Sequence, residues 1–220
     1  MSPWKLVIFD LDGTLVDTAP DIAACANAVL AEEGRKPRSL KEVYTSIGMG
    51  VHELFRRLLP DEPGLGDHVI ERMSLRFKSL YADRIAVDSQ PYPGVREMLE
   101  GPLAAIDKAI VTNKPHVLSV KLLDALDLSG HFRRVIGMHN GFAAKPDPAG
   151  VRDVLATLGC PAERAILVGD SSIDCETARN AGIDFAWVSY GYEDVKPRSA
   201  ARIFNQASEW REIVDGAIRR

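Results

Sequence analysis

The stretch Leu6-Val7-Ile8-Phe9-Asp10-Leu11-Asp12-Gly13-Thr14 decides the fold of this chain. Its first four residues are apolar and predict a short strand that is buried on both faces. The strand ends at Asp10, and the Asp12-Gly13 pair that follows is a turn signal. In open α/β sheets ligands bind beyond the carboxyl ends of the strands, so this turn marks a candidate site.

Further strands and helices alternate through the second part of the chain. Short apolar runs recur at 109–111, 135–136, 165–168 and 185–188. Between them, apolar residues at helical spacing occupy 118–126 and 151–158, and Gly159 is a stop signal for the latter. Short buried strands that alternate with helices predict an α/β fold with a doubly wound parallel sheet.

Residues 18–88 have a different pattern. Three apolar stripes at helical spacing, in 22–30, 51–59 and 70–81, occur there without a convincing strand. A crossover between parallel strands needs only about a dozen residues, and this segment is far longer. We therefore expect a small all-helical cap domain at 18–88, inserted after the first strand into a core formed by 1–17 and 89–220.

Composition excludes several classes of protein. The 220 residues include 46% hydrophobic and 26% charged residues, which is ordinary for a globular protein and unlike a disordered chain. The net charge of −4 argues against nucleic acid or an anionic membrane as the partner. The apolar run at 6–9 is too short for a signal peptide or a membrane span.

Cysteine usage predicts a reducing compartment. Cys25, Cys160 and Cys175 are odd in number and have no pair spacing typical of a zinc site. We expect free thiols and a cytoplasmic protein.

Four carboxylates follow the predicted strands, and they indicate a metal site. Two carboxylates about 4 Å apart repel by roughly 4 kcal/mol at an effective dielectric constant of 20. A group of four therefore requires a counter-charge, and oxygen ligands without His or Cys favour Mg²⁺. The four candidate ligands are Asp10, Asp12, Asp170 and Asp174.

Donors suited to a phosphoryl group follow the same strands. Thr112, Asn113 and Lys145 offer a hydroxyl, an amide and an ammonium, and the turn at Gly13 brings backbone N–H groups close. Because Mg²⁺ in proteins commonly takes a phosphate oxygen of the substrate as ligand, the residues indicate Mg²⁺-dependent phosphoryl transfer to or from a small phosphorylated metabolite.

These residues resemble the haloacid dehalogenase superfamily, specifically its phosphatase branch. The stretch 10–14 matches the first motif of that family. Thr112 matches the second motif, Lys145 the third, and Gly169-Asp170 with Asp174 the fourth, in the family's order. The likeness is greatest to phosphoglycolate phosphatases, through the segments 17–21, 92–95, 112–115 and 190–192.

The resemblance implies a role for each of these residues. Asp10 is expected to be the nucleophile that forms an aspartyl-phosphate, and Asp12 the general acid and base. Asp10, the backbone carbonyl of Asp12, and Asp170 are expected to hold Mg²⁺, with Asp174 behind them or bridging to Lys145. Thr112 and the Asn113 amide would bind the phosphoryl oxygens. Lys145 would offset the charge around the nucleophile.

The sequence leaves other reactions open. A sugar phosphomutase of the same superfamily is one alternative, although such enzymes tend to carry Lys and Arg where this chain has Met49 and Glu53. A pyrophosphatase or nucleotide phosphatase is another. A non-enzymatic phospho-receiver is a remote alternative, because receivers carry no helical insertion.

Substrate choice is expected to come from the helical segment. Gly48, Met49 and Gly50 lie between two predicted helices, where the glycines would let the backbone approach a leaving group. Arg56 could bind a substrate carboxylate. We expect a monomer or a homodimer.

Overall fold

The structure is a computed structural model that describes residues 4–62, 65–193, 200 and 202–215. In chain order its strands and helices are β1 (Leu6–Phe9), β2 (Val16–Asp17), α1 (Ala19–Glu32), α2 (Leu40–Tyr44), α3 (Val51–Leu58), α4 (Asp67–Asp83), β3 (Gln90–Pro91), α5 (Val95–Glu100), β4 (Asp107–Pro115), α6 (His116–Ala125), β5 (Arg134–Met138), α7 (Ala149–Leu158), β6 (Ala165–Gly169), α8 (Ser172–Ala181), β7 (Asp184–Val188), β8 (Arg202–Phe204) and α9 (Arg211–Asp215). Short 3-10 turns lie at Ser129–His131, Ala162–Arg164 and Ala207–Trp210.

Six strands form one parallel sheet in the order β5-β4-β1-β6-β7-β8. The five strands predicted from apolar runs are confirmed. β8 was not predicted, because a three-residue edge strand carries too little pattern. The chain first builds outward from β1 through β4 to β5 and then continues on the other side with β6. The carboxyl ends of β1, β4 and β6 therefore meet at the point where the order reverses.

Both faces of the sheet are covered, as the apolar run of β1 predicts. Val7 and Phe9 belong to one hydrophobic cluster, and Leu6 and Ile8 belong to the other. All four side chains are fully buried. This alternation fixes which residue of β1 faces which layer, and it leaves Asp10 at the carboxyl edge.

Among the described residues between β2 and β3, four helices and no strand occur. The helices α1, α3 and α4 contain the three predicted apolar stripes. The short α2 was not predicted, although Ser39 and Glu42 form a capping box at its start. One hydrophobic cluster continues from Phe9 in the sheet to Phe55 in α3, so the division into domains at 17/18 and 88/89 stays a prediction.

β2 and β3 pair antiparallel over two residues each, where the chain leaves the sheet layer and returns to it. None of the helices in the described ranges combines the length and the apolar character that crossing a lipid bilayer would require.

Candidate active site

Three buried carboxylates meet at the carboxyl edge of the sheet. Asp10 follows β1, Asp170 follows β6, and Asp174 lies in the first turn of α8. One oxygen of each lies within 4.8 Å of one oxygen of the others. Their convergence was predicted, and it results from the parallel order of β1 and β6.

Lys145 is the cation among these carboxylates. Its Nζ lies 2.8 Å from Asp10 Oδ1 and 2.6 Å from Asp174 Oδ1. Three carboxylates and one ammonium leave a formal charge of −2 inside the protein. Burial by itself would lower the pKa of Lys145, but the charges of Asp10 and Asp174 raise it above its ordinary value.

The pKa values of two carboxylates are raised. Burial, with the neighbouring charge of Asp174 and against the attraction of Lys145, raises the pKa of Asp10 to about 6. Burial and the charges of Asp174 and Asp10 raise the pKa of Asp170 well above its ordinary value. Full ionisation of the three carboxylates is therefore unfavourable, and an added cation would stabilise their charged forms.

Asp170 is held from two sides. Its Oδ1 accepts a hydrogen bond from the Thr14 hydroxyl at 3.0 Å, and its Oδ2 accepts one from the Tyr192 N–H at 2.8 Å. A β-carbon on Gly13 would lie 2.4 Å from Asp170 Oδ2, so glycine is required for this contact. The Gly13 N–H itself donates to the Val16 carbonyl at 2.9 Å. In place of the predicted N–H donor for phosphate, the structure shows Gly13 closing its own turn and making room for Asp170.

Asp174 has partners on both oxygens. Its Oδ1 accepts from Lys145, and its Oδ2 accepts from the backbone N–H and the hydroxyl of Ser171 at 3.1 and 2.6 Å. The Ser171 hydroxyl in turn accepts from the Asp174 N–H, which caps α8. The arrangement matches the predicted bridge from Asp174 to Lys145.

Asp12 lies apart from the three carboxylates. Its Oδ1 accepts hydrogen bonds from Lys114 Nζ at 2.9 Å and from the Thr18 hydroxyl at 2.7 Å. The Lys114 ammonium also donates to the Tyr81 hydroxyl at 2.9 Å. Since Asp10 and Asp12 both line one cleft, the two carboxylates face the same space from different surroundings.

The cleft lies between the sheet edge and the helical segment. It has about 510 Å³ of free space, part of which is open to solvent. Thr112 and Lys114 line it from the core. The Thr112 hydroxyl accepts from the Lys114 N–H at 3.3 Å, which leaves its own hydrogen to donate into the cleft.

The side chain of Asn113 was predicted to bind the phosphoryl oxygens, but in the structure it is hydrogen-bonded within the protein. Its Oδ1 accepts from the Lys145 N–H at 2.7 Å, and its Nδ2 donates to the carbonyls of Gly48 and Lys145 at 3.0 and 3.1 Å. The side-chain amide therefore positions the Lys145 backbone and the Gly48 loop.

The structure brings only part of the predicted leaving-group segment to the cleft. Gly48 and Gly50 line it. Gly50 has φ +85°, and a β-carbon there would lie 2.8 Å from Met138 Sδ. Met49 is 42% exposed and is not among the lining residues. Arg56 forms an ion pair with Asp67 and lines a separate depression, so it does not meet a substrate in this cleft.

The model of the haloacid dehalogenase-like hydrolase family matches residues 7–188. The chain belongs to this family. It is similar to a phosphoglycolate phosphatase of Pseudomonas savastanoi pv. phaseolicola, with 37% identity over 97% of this chain and 80% of the relative. A phosphoglycolate phosphatase of Caulobacter vibrioides is 41% identical over 86% of this chain and 80% of its own length.

A solved structure likewise relates this haloacid dehalogenase-like hydrolase to the phosphatases of the family. A predicted phosphoglycolate phosphatase from Haemophilus somnus 129PT superposes with a TM-score of 0.89 at 29% identity and covers 99% of both chains. The resemblance stated from the motifs is confirmed, and the protein is an enzyme, a phosphoric monoester hydrolase.

The residues of this hydrolase fit a magnesium ion. Asp10, Asp170 and Asp174 form a compact, buried group of carboxylates with an excess of negative charge. Asp10 and Asp170 are the candidate ligands, because both oxygens of Asp174 already accept hydrogen bonds from Lys145 and Ser171. No His or Cys belongs to this group, which favours Mg²⁺ over zinc. The Asp12 carboxylate is turned to Lys114 and Thr18, so that only its backbone carbonyl remains as a candidate ligand.

Sequence reasoning missed four residues that the structure places at the site of this hydrolase: Thr18, Tyr81, Lys114 and Tyr192. Three of them stand inside segments that carried the family resemblance, and their own side chains were given no role. Tyr81 was interpreted only as part of the apolar stripe of α4. Nothing in its local pattern distinguishes an ordinary core tyrosine from one whose hydroxyl contacts a lysine of β4.

Proposed function

We propose that this enzyme is a Mg²⁺-dependent phosphatase that hydrolyses a small phosphate monoester, with 2-phosphoglycolate as the leading candidate, through an aspartyl-phosphate on Asp10. We place this reaction in the cytoplasm, because three cysteines, an odd number without the pair spacing of a zinc site, are typical of a reducing compartment.

This proposal rests on two carboxylates, Asp10 and Asp12, that line one cleft but lie in different surroundings. Asp10 lies beside Lys145 in the charged group, whereas Asp12 lies outside it with Lys114 and Thr18. A nucleophile has to remain ionised next to the phosphoryl group, and a general acid has to reach the leaving oxygen. Two carboxylates in different surroundings on one cleft suit these two tasks.

In the first half-reaction, a carboxylate oxygen of Asp10 attacks phosphorus, and the bond from phosphorus to the leaving oxygen breaks. Asp12 gives its proton to that oxygen, so the alcohol leaves neutral. The Thr112 hydroxyl and the Lys145 ammonium interact with the phosphoryl oxygens.

In the second half-reaction, water attacks phosphorus and Asp12 takes its proton. The bond between phosphorus and the Asp10 oxygen breaks, which releases inorganic phosphate and restores the Asp10 carboxylate and the protonated Asp12. A bound Mg²⁺ supplies positive charge that neutralises the phosphoryl oxygens and the carboxylates. Asp10, Asp170 and the Asp12 carbonyl would hold it, and Asp174 would hold Lys145 in place.

The lining of the cleft favours hydrolysis over phosphomutase chemistry. A mutase has to bind a second phosphoryl group away from the first. Among the described lining residues, the helical segment contributes apolar side chains, the tyrosine Tyr81 and no cation. The names of the relatives support phosphoglycolate as the ester.

Replacement of the nucleophile tests the reaction. We expect Asp10→Asn to lower kcat on 2-phosphoglycolate by at least about a thousandfold, because covalent catalysis is lost. Asp83→Asn, at an exposed position of α4, is the matched control and should keep wild-type turnover. Mass spectrometry after rapid quenching should find phosphate on the peptide that contains residue 10 in the wild type only. Turnover by Asp10→Asn within a few-fold of wild type would refute the proposal.

A further inference from the structure

The part of the cleft that receives the leaving group is apolar except at one point. The helical segment contributes Ile22, Ile47, Val51, Leu54, Phe77 and Tyr81 together with the two glycines, and Lys114 faces them from the core. Within the described lining, Lys114 is the one cation, and Tyr81 is the one polar side chain from the helices. Lys114 contacts both Tyr81 and Asp12.

The Tyr81 hydroxyl has an unused hydrogen. It accepts a hydrogen bond from Lys114 Nζ at 2.9 Å, and no acceptor for its own hydrogen lies among the residues that the structure describes. The side chain is 1% exposed, so bulk water does not surround it. Burial, against the attraction of Lys114, raises the pKa of Tyr81 to about 12, which keeps the hydroxyl protonated as a donor. A buried donor in the lining of a cleft calls for an acceptor on the ligand.

We propose that Lys114 and Tyr81 form a subsite for a carboxylate on the leaving group and are the residues that select for it. This inference rests on the proposed phosphatase reaction and names specificity-determining residues for it. Lys114 contributes the charge, and Tyr81 contributes a directed hydrogen bond.

Charge balance in the first half-reaction supports this assignment. Lys114 is buried, and Asp12 is the carboxylate that it contacts. When Asp12 carries the proton that it donates, it no longer neutralises this ammonium. An unpaired buried charge is costly, and a substrate carboxylate removes that cost. A neutral leaving group provides no such compensation.

The position of Lys114 also sets the size of the acid. Asp12 has to reach the oxygen that links phosphorus to the leaving group, and Lys114 Nζ lies 2.9 Å from Asp12 Oδ1. A carboxylate near Nζ is therefore close to that bridging oxygen. Separation by a single methylene, as in an ester of a two-carbon hydroxy acid, fits this spacing, whereas a long chain would enter the apolar part of the cleft.

The test compares two substrates in each enzyme. The first substrate is 2-phosphoglycolate, and the second is 2-hydroxyethyl phosphate, which has a neutral hydroxymethyl group in place of the carboxylate. The measured quantity is the ratio of their kcat/KM values. Because both substrates are assayed on the same preparation, a misplaced Asp12 or a fraction of unfolded protein cancels from the ratio.

We expect the wild type to prefer the acid by about tenfold to a hundredfold, the range that a hydrogen bond to a charged group gives. Lys114→Met should abolish the preference, and Tyr81→Phe should reduce it by about threefold to tenfold, mainly through KM for the acid. Lys121→Met, at an exposed lysine of α6, is the matched control and should keep the wild-type ratio. Should Lys114→Met fail to fold, Tyr81→Phe alone decides, since it removes a single oxygen.

Each other outcome overturns the inference. Equal hydrolysis of both esters by the wild type would refute the carboxylate subsite while leaving the phosphatase proposal intact. A preference that survives in both variants would place the recognition elsewhere. If the wild type hydrolyses neither ester, nor any other small phosphate monoester, the phosphatase proposal itself fails together with this subsite.

Discussion

The buried carboxylate of Asp21 accepts both the backbone N–H and the hydroxyl of Ser89, at 2.8 and 2.7 Å. It also accepts from the N–H of Asp88 at 2.9 Å and forms an ion pair with Arg84. Asp21 lies at the start of α1 and Ser89 just before β3. One side chain therefore ties together the two places where the chain passes between the sheet and helices α1–α4.

Removing this carboxylate should destabilise the protein. We expect Asp21→Ala to lower the free energy of unfolding by about 2–4 kcal/mol, because several donors lose a charged acceptor and two of them are buried. Urea denaturation measures the change. Asp83→Ala, at an exposed position of α4, should stay within about 0.5 kcal/mol of wild type. Equal stability of the two variants would show that the Asp21 contacts contribute little.

Gly13, next to the metal site, and Gly34, remote from it, are a matched pair of positions for an alanine substitution. Both have positive φ, at +82° and +68°, so alanine strains the backbone at either position by about 1 kcal/mol. A β-carbon at 13 would meet Asp170, whereas at 34 it meets nothing within 4 Å. We expect Gly13→Ala to lower kcat by about a hundredfold or more and to weaken Mg²⁺ binding. Gly34→Ala should lose stability only. Wild-type activity in Gly13→Ala would contradict the fit of Asp170 against this glycine.

Mg²⁺ should stabilise the folded protein, since a cation offsets the excess negative charge around Asp10. At about a hundredfold excess over its dissociation constant, the ion adds about 3 kcal/mol, which corresponds to a rise in Tm of about 5–10 °C. Asp170→Asn should abolish most of this rise. Chelation should stop hydrolysis, and added Mg²⁺ should restore it. A Tm that does not respond to Mg²⁺ in the wild type would contradict the metal site.

The raised pKa of Asp10 predicts a pH dependence of stability in metal-free protein. Burial favours the protonated form in the folded state, with a pKa of about 6 against an ordinary value of 3.8. Stability from this group is present below pH 4 and is lost as the pH rises through about 6. Relative to Asp10→Asn, the wild type should therefore lose up to a few kcal/mol between pH 4 and pH 7. A difference that is flat with pH would show that Asp10 titrates at its ordinary value.

Local patterns predicted most of the fold. Five of the strands and the main helices were predictable from the sequence. Burial on both faces requires apolar runs in a strand, and an amphipathic helix has apolar residues at a period of 3.6. The two-residue pair β2–β3 was not predictable. Its strands lie more than 70 residues apart and one of them contains Pro91, so only the packed protein brings them together.

The candidate site, like the fold, was predictable from the sequence only in part. Asp10, Asp170, Asp174 and Lys145 lie together at the carboxyl edge of the sheet, and Thr112 lines the same cleft as Asp10. The motifs led us to expect this proximity because parallel strands end together, while the roles of these residues stay predictions. Arg56 was named as a residue that could bind a substrate carboxylate, and in the structure it pairs with Asp67. Spacing along one helix says which residues share a face, but not which surface that face meets.

The sequence by itself determined where strands alternate with helices, the types of acid and donor at the site and the metal that they suit, because each depends on residue chemistry within a few positions. Only the tertiary structure decided that Asn113 positions Lys145, that Gly13 makes room for Asp170, and that Tyr81 of α4 meets Lys114 of β4. Such contacts join residues far apart in the chain. Their geometry depends on how the helices pack over the sheet, which no local pattern encodes.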